Sequence, residues 1–114
     1  MKDILKMNEI LYGQEMHTIR LCGGVAKSPY WCQMFADIFN KPIELTEVTE
    51  LGCLGAAMLA GVGAGLFKDA SEAVEKCVHV KEIYTPNPKV VPVYAEAFEQ
   101  WFRCLEVTNK ENYI

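Results

Sequence analysis

Few of the residues that announce a particular chemistry occur in this sequence. Its two histidines, His17 and His79, lie far apart, and its five cysteines, at 22, 32, 53, 77 and 104, form no C-x-x-C pair. Zinc knuckles and dithiol redox motifs need such short spacings, so both are excluded and no metal site is expected. An odd number of thiols, most of them set in apolar runs as buried free cysteines are, points to a reducing compartment; the cytoplasm is the expected location. Positive charge is also sparse. Eleven Lys and Arg against fifteen Asp and Glu leave a net charge of −4, and the bases are scattered. No basic patch exists to hold nucleic acid or an anionic membrane surface. The charge-free run Leu51–Phe67 includes Gly61-x-x-x-Gly65, a pattern of membrane-helix contacts, but has seventeen residues and five glycines. A bilayer span wants about 20 apolar residues with aromatic or basic anchors, so a buried helix of a water-soluble domain is expected. Met1–Leu11 mixes Lys2, Asp3, Lys6 and Glu9 among its apolar residues and is no signal peptide.

What is present is an ordinary globular composition, 51% hydrophobic and 23% charged over 114 residues, enough for one small domain. Ile4, Met7 and Leu11 keep one helical face, which Gly13 can end. Thr18–Cys22 reads as a short strand running into Gly23-Gly24. Ser28-Pro29 then opens a helix, the serine as cap and the proline in the first turn, with Trp31, Met34, Phe35 and Ile38 on one face. A second strand, Pro42–Thr46, precedes the apolar helix from about Cys53 to Leu66. Asp69 with Glu72 resembles a capping box for the next helix, on which Ala70, Ala73, Val74 and Cys77 line one face. After the stiff turn Pro86-Asn87-Pro88, a last helix starts near Pro92 and buries Tyr94, Phe98, Trp101 and Leu105. The order is helix-strand-helix-strand-helix plus two C-terminal helices, an α/β layer with parallel strands. Two strands seldom make a sheet alone, so the remaining strands are expected in a longer chain.

The Gly23-Gly24 turn is the one place with the physical makings of a ligand site. Glycine lets backbone approach a ligand closely, and the helix beginning near Ser28 offers free amides and a partial positive charge, to which Lys27 adds a full one. A plain strand-to-helix turn would use the same residues, and they do not choose between the two. The segment is not a P-loop, since Ala26 rather than glycine precedes Lys27-Ser28, and its glycine spacing is not that of a dinucleotide fold.

Leu21-Cys22-Gly23-Gly24-Val25-Ala26-Lys27-Ser28-Pro29 resembles the adenosine motif of the actin-like ATPase superfamily. Trp31–Ile38, Lys41-Pro42-Ile43-Glu44, Leu54–Ala60, Gly65-Leu66-Phe67, Tyr84-x-Pro86 and Tyr94 then follow the C-terminal pattern of FGGY carbohydrate kinases over residues 18–105. The resemblance implies a C-terminal subdomain fragment of an actin-like ATPase (ribonuclease H-like) domain, spanning residues 1–114. It implies an ATP-dependent sugar kinase using ATP/ADP and Mg2+, with a pentulose such as xylulose as acceptor. It places Gly23 and Gly24 against the nucleotide, Lys27 and Ser28 at its adenine or ribose pocket, and Gly55-Ala56-Ala57 in a helix packed closely behind. The catalytic and sugar-binding residues, with the missing N-terminal domain, would lie upstream of Met1. The fragment alone would therefore be inactive and would self-associate. Two other readings stay open: a non-kinase member of the superfamily, such as a chaperone or sugar-responsive regulator, and a stand-alone nucleotide-binding module.

Among other polar residues, Glu44, Glu47 and Glu50 are expected on a solvated rim, with Glu50 the best placed for function, and Asp37 on an exposed helix face. Trp31, Phe98, Trp101 and Phe102 are expected in core or interdomain packing.

Overall fold

The structure, a computed structural model, describes residues 15–112 together with Ile10 and Gly13. The helix expected over Ile4, Met7 and Leu11 lies outside the described residues. From Ile19 onward the chain runs β1 (Ile19–Leu21), a 3-10 turn (Gly24–Lys27), α1 (Pro29–Phe39), β2 (Ile43–Thr46), α2 (Leu51–Gly63), α3 (Ala70–Cys77), β3 (Val80–Tyr84) and α4 (Val91–Asn112).

The strands form one sheet in the order β1-β2-β3. β1 and β2 are parallel, with Ile19 opposite Ile43 and Leu21 opposite Leu45, as a strand-helix-strand crossover requires. β3 corrects the expectation of two strands. It lies antiparallel to β2, placing Tyr84 opposite Ile43 and Glu82 opposite Leu45, with a bulge at Leu45/Thr46. Lys81 and Glu82 hide it from an alternation test, because a solvent-facing edge strand tolerates charge on both faces.

The core is small. Cys32, Ala36 and Phe39 of α1 meet Ile43 and Leu45 of β2, with Phe35, Ile38, Ile19, Leu21 and Tyr84 packed around them. The helix thus turns a different stripe inward from the one expected: Trp31 stays half exposed, and Cys32 and Ala36 are fully buried. Pro29 sits at its start, but Ser28 makes no side-chain capping bond; its carbonyl accepts from the Cys32 amide at 3.1 Å instead. Asn40, at φ 51° and ψ 42°, ends the helix in the left-handed conformation that asparagine tolerates.

α2 packs on α3. The Gly61-x-x-x-Gly65 pattern serves a contact within the chain. Gly65, at φ 76°, turns the backbone so that the Phe67 ring lies against Gly61. Asp69 caps α3 as expected, its Oδ1 accepting from the Glu72 amide at 2.9 Å; Glu72 in turn accepts from the Lys68 amide rather than completing the box on Asp69. Gly55 is not tightly packed: a Cβ there would meet nothing within 4 Å. Leu59 and Leu66 are exposed, as are Cys22, Cys53 and Cys104, so most of the thiols are not buried as their apolar neighbours suggested. Trp101 and Leu105 of α4 are likewise exposed. The Cα radius of gyration is 18.2 Å, against about 13 Å for a compact chain of this length. Apolar helix faces therefore stand open along an extended shape.

Candidate functional site

β1 and β2 end side by side, and ligands of α/β sheets bind at that edge, beyond the carboxyl ends of parallel strands. Here an open depression of about 370 Å³ lies against the ends of both strands. Leu21 and Cys22 line it from β1, Leu45, Thr46, Glu47 and Thr49 from β2 and the segment after it, and Ala26, Lys27 and Pro29 from the turn and the start of α1. Lys81, Glu82 and Tyr84 of β3 close the opposite side. Loss of solvent raises the Tyr84 phenol pKa above its ordinary value, and the neighbouring Glu82 carboxylate adds to that rise.

The glycines shape the turn in different ways. Gly23 has φ 82° and ψ −162°, a backbone region closed to side-chain-bearing residues. Its carbonyl accepts from the Ala26 amide at 3.1 Å, which closes the 3-10 turn. Gly24 has no such conformational need, and a Cβ built on it would meet nothing within 4 Å. Packing within the chain therefore does not require glycine there. The amides of Gly24 and Val25 precede the first closed hydrogen bond of the turn and take no partner from it. From below, the buried Cys32 thiol approaches the Val25 and Ala26 carbonyls at 3.9 and 3.7 Å, and burial raises its pKa. Of the four residues singled out in the sequence, Gly23 and Gly24 are exposed on the turn, Lys27 lines the depression and Ser28 is half-buried beside it.

Asp37 departs from expectation. It is only 5% exposed; its Oδ1 accepts from the Asn87 amide at 2.7 Å and from Gln33 Nε2 at 3.0 Å. Glu44 is on the sheet surface, paired with Arg20 at 3.0 Å. Glu47 reaches the depression, while Glu50 does not line it. Lys81 and Glu82 escaped sequence reasoning, and Tyr84, though part of the family pattern, was not placed in a strand or at the site. Val80, Ile83 and Tyr84, bounded by Pro86, were the signal that could have revealed them.

Residues 2–64 match the C-terminal domain of the FGGY family of carbohydrate kinases. The chain belongs to that family. It is 37% identical over 87 residues to an L-xylulose/3-keto-L-gulonate kinase of Escherichia coli K12, covering 76% of this chain and 18% of that one. It is 38% identical over 99 residues to a xylulose kinase of Staphylococcus epidermidis, covering 87% and 19%. An autoinducer-2 kinase of an Enterobacter species is 35% identical over 89 residues, 78% of this chain and 17% of that one. The FGGY chain described here thus spans about a fifth of the length of the curated relatives it matches. Among solved structures, ligand-bound xylulose kinase of Lactobacillus acidophilus superposes with a TM-score of 0.78 at 28% identity, over 89% of this chain and 21% of that one. A Plasmodium falciparum glycerol kinase with ADP, at 23% identity and TM-score 0.70 over 94% and 21%, shares the fold. The architecture is accordingly α/β, part of the actin-like ATPase fold of these kinases.

Proposed function

We infer that these 114 residues form the nucleotide-facing part of an ATP-dependent sugar kinase. The observation that carries this reading is the open Gly23-Gly24 turn at the carboxyl ends of two parallel strands, where Gly24 has room for a ligand and no packing reason to be glycine. In this reading the Gly24 and Val25 amides meet a phosphate or ribose oxygen. Lys27 flanks the base, and Ser28 lies at the edge of the same pocket. The remaining catalytic groups and the sugar site belong to polypeptide outside this segment. Among the described residues no group of three or more His, Cys, Asp or Glu side chains converges to hold a metal. Mg2+ belongs with the nucleotide phosphates and with groups elsewhere in the kinase.

The acceptor we propose is a small sugar, a pentulose such as xylulose, in keeping with the xylulose kinases among the relatives. The autoinducer-2 and gluconate kinases among them leave that choice to the sugar-holding half. No helix among the described residues is long and apolar enough to cross a membrane. We place the kinase in the cytoplasm on its free thiols, with no nucleic-acid or membrane partner.

Phosphoryl transfer needs the acceptor hydroxyl held in line with the γ-phosphate, and one nucleotide-facing turn cannot supply that. The 114-residue chain by itself should release no ADP in response to any sugar. With Leu59, Leu66 and Trp101 exposed, it should also self-associate. A coupled ADP-release assay over pentuloses and polyols, run with light scattering, checks both. Sugar-dependent turnover by a clean monomer would overturn the assignment in favour of a small complete enzyme.

A further inference from the structure

The depression has two walls that arrive from distant parts of the chain, and one small polar group joins them. Ala26 and Lys27 of the 3-10 turn, with Pro29 of α1, make one wall; β3, through Lys81, Glu82 and Tyr84, makes the other. β3 is an edge strand, held on one side by β2 alone. Just beyond Tyr84 the chain meets α1 again. Gln33 Nε2 donates to the Thr85 carbonyl at 2.9 Å and to Asp37 Oδ1 at 3.0 Å, and the Asn87 amide donates to the same Oδ1 at 2.7 Å. Asn87 is itself a hub: its side-chain oxygen accepts from the Lys89 amide, and its carbonyl accepts from the amides of Val90 and of Val91, the first residue of α4.

A carboxylate this buried is costly unless its oxygens are bonded, so an Asp held by an amide and a carboxamide is not incidental packing. We propose that Gln33 and Asp37 are positioning residues for the nucleotide depression. They latch the segment after β3 to α1, and so fix the distance between the Tyr84 wall and the glycine turn. This rests on the nucleotide reading above, and adds to it a pair of residues that touch no ligand. Both donors are neutral groups, so an uncharged accepting oxygen at position 37 keeps both bonds, each weaker than to a carboxylate.

The test uses the whole kinase that contains this segment, with ADP as the probe, affinity read by titration calorimetry and folding by thermal melts. Asp37→Ala should weaken ADP roughly three- to tenfold, and Asp37→Asn, which keeps the accepting oxygen, should restore most of it. Gln33→Ala, at a half-buried surface position, should give a loss of the same sign and serves if Asp37→Ala does not fold. Asp69→Ala removes the cap of α3, none of whose residues lines the depression; it should lower the melting temperature and leave ADP affinity unchanged. If folded Asp37→Ala or Gln33→Ala binds ADP as the unsubstituted chain does, the latch has no role in the site. If Asp69→Ala weakens ADP equally, loss of stability alone explains the effect and the proposal fails. If the unsubstituted kinase binds no ADP, the nucleotide reading itself is overturned, and the latch with it.

Discussion

Replacing Gly24 by valine separates the need of a ligand from the need of the fold. Within the chain nothing lies within 4 Å of a Cβ at this position, and its φ is not in the left-handed region. The unfolded chain loses conformational freedom on Gly→Val, a gain to stability of about 0.4–1 kcal/mol, partly offset by the stiffness of a β-branched residue in a tight turn. The net change in folding should stay within about 1 kcal/mol, a few degrees in melting temperature. The ligand loses more. A branched side chain over the Gly24 and Val25 amides blocks at least one backbone hydrogen bond to a charged group, worth about 1.5–3 kcal/mol, or ten- to a hundredfold in ADP affinity. Gly23→Val is the contrasting case. At φ 82° and ψ −162° it should destabilise the fold by about 1–3 kcal/mol whether or not ADP is present. Calorimetric titration with ADP beside thermal melts reads both quantities, and in the whole kinase sugar binding should be unchanged. A folded Gly24→Val chain with unaltered ADP affinity would refute the assignment of the turn.

Two further substitutions probe neighbouring statements. Lys27→Ala should leave the melting temperature nearly unchanged and lower ADP affinity severalfold, on the order of 1 kcal/mol, if the side chain flanks the base; no change would make it a surface charge. Gly61→Ala should destabilise by about 1–3 kcal/mol, because its Cβ would stand 2.7 Å from Phe67 Cε2 and the ring must move; an unchanged urea midpoint would show that the ring swings freely.

The stretch from Ile19 to Thr46 was legible because its signals are local. The short strand, the paired glycines, Pro29 at a helix start and the alternation over Pro42–Thr46 each act over a few residues, and β1, the turn, α1 and β2 fell where these place them. Ser28 shows the limit of such signals. Its position predicts a cap, yet the side chain makes none and the backbone carbonyl alone continues the helix. Asp37 could not be read as buried, because the Thr85–Asn87 segment that covers it comes from about fifty residues away. β3 was hidden by Lys81 and Glu82, which interrupt the apolar alternation of a strand that is exposed along most of its length. With it went three of the twelve residues that line the depression. The apolar run in α2 predicted burial from composition alone. Its exposed Leu59 shows that composition tells what a helix wants to be covered by, not whether the cover is in the same segment.

The central claim, that nucleotide occupies the depression beside Gly23, is tested most directly by the thiol already on its wall. Cys22 is exposed and lines the depression, while Cys53 and Cys104 are exposed elsewhere. Alkylation with iodoacetamide, mapped by peptide mass with and without ADP, follows all three in one experiment. ADP at ten times its dissociation constant should slow modification of Cys22 about tenfold, since only the unoccupied fraction reacts, and leave Cys53 and Cys104 unchanged. Cys22 reacting at the same rate in the presence of bound ADP, or all three cysteines slowing together, would contradict the account.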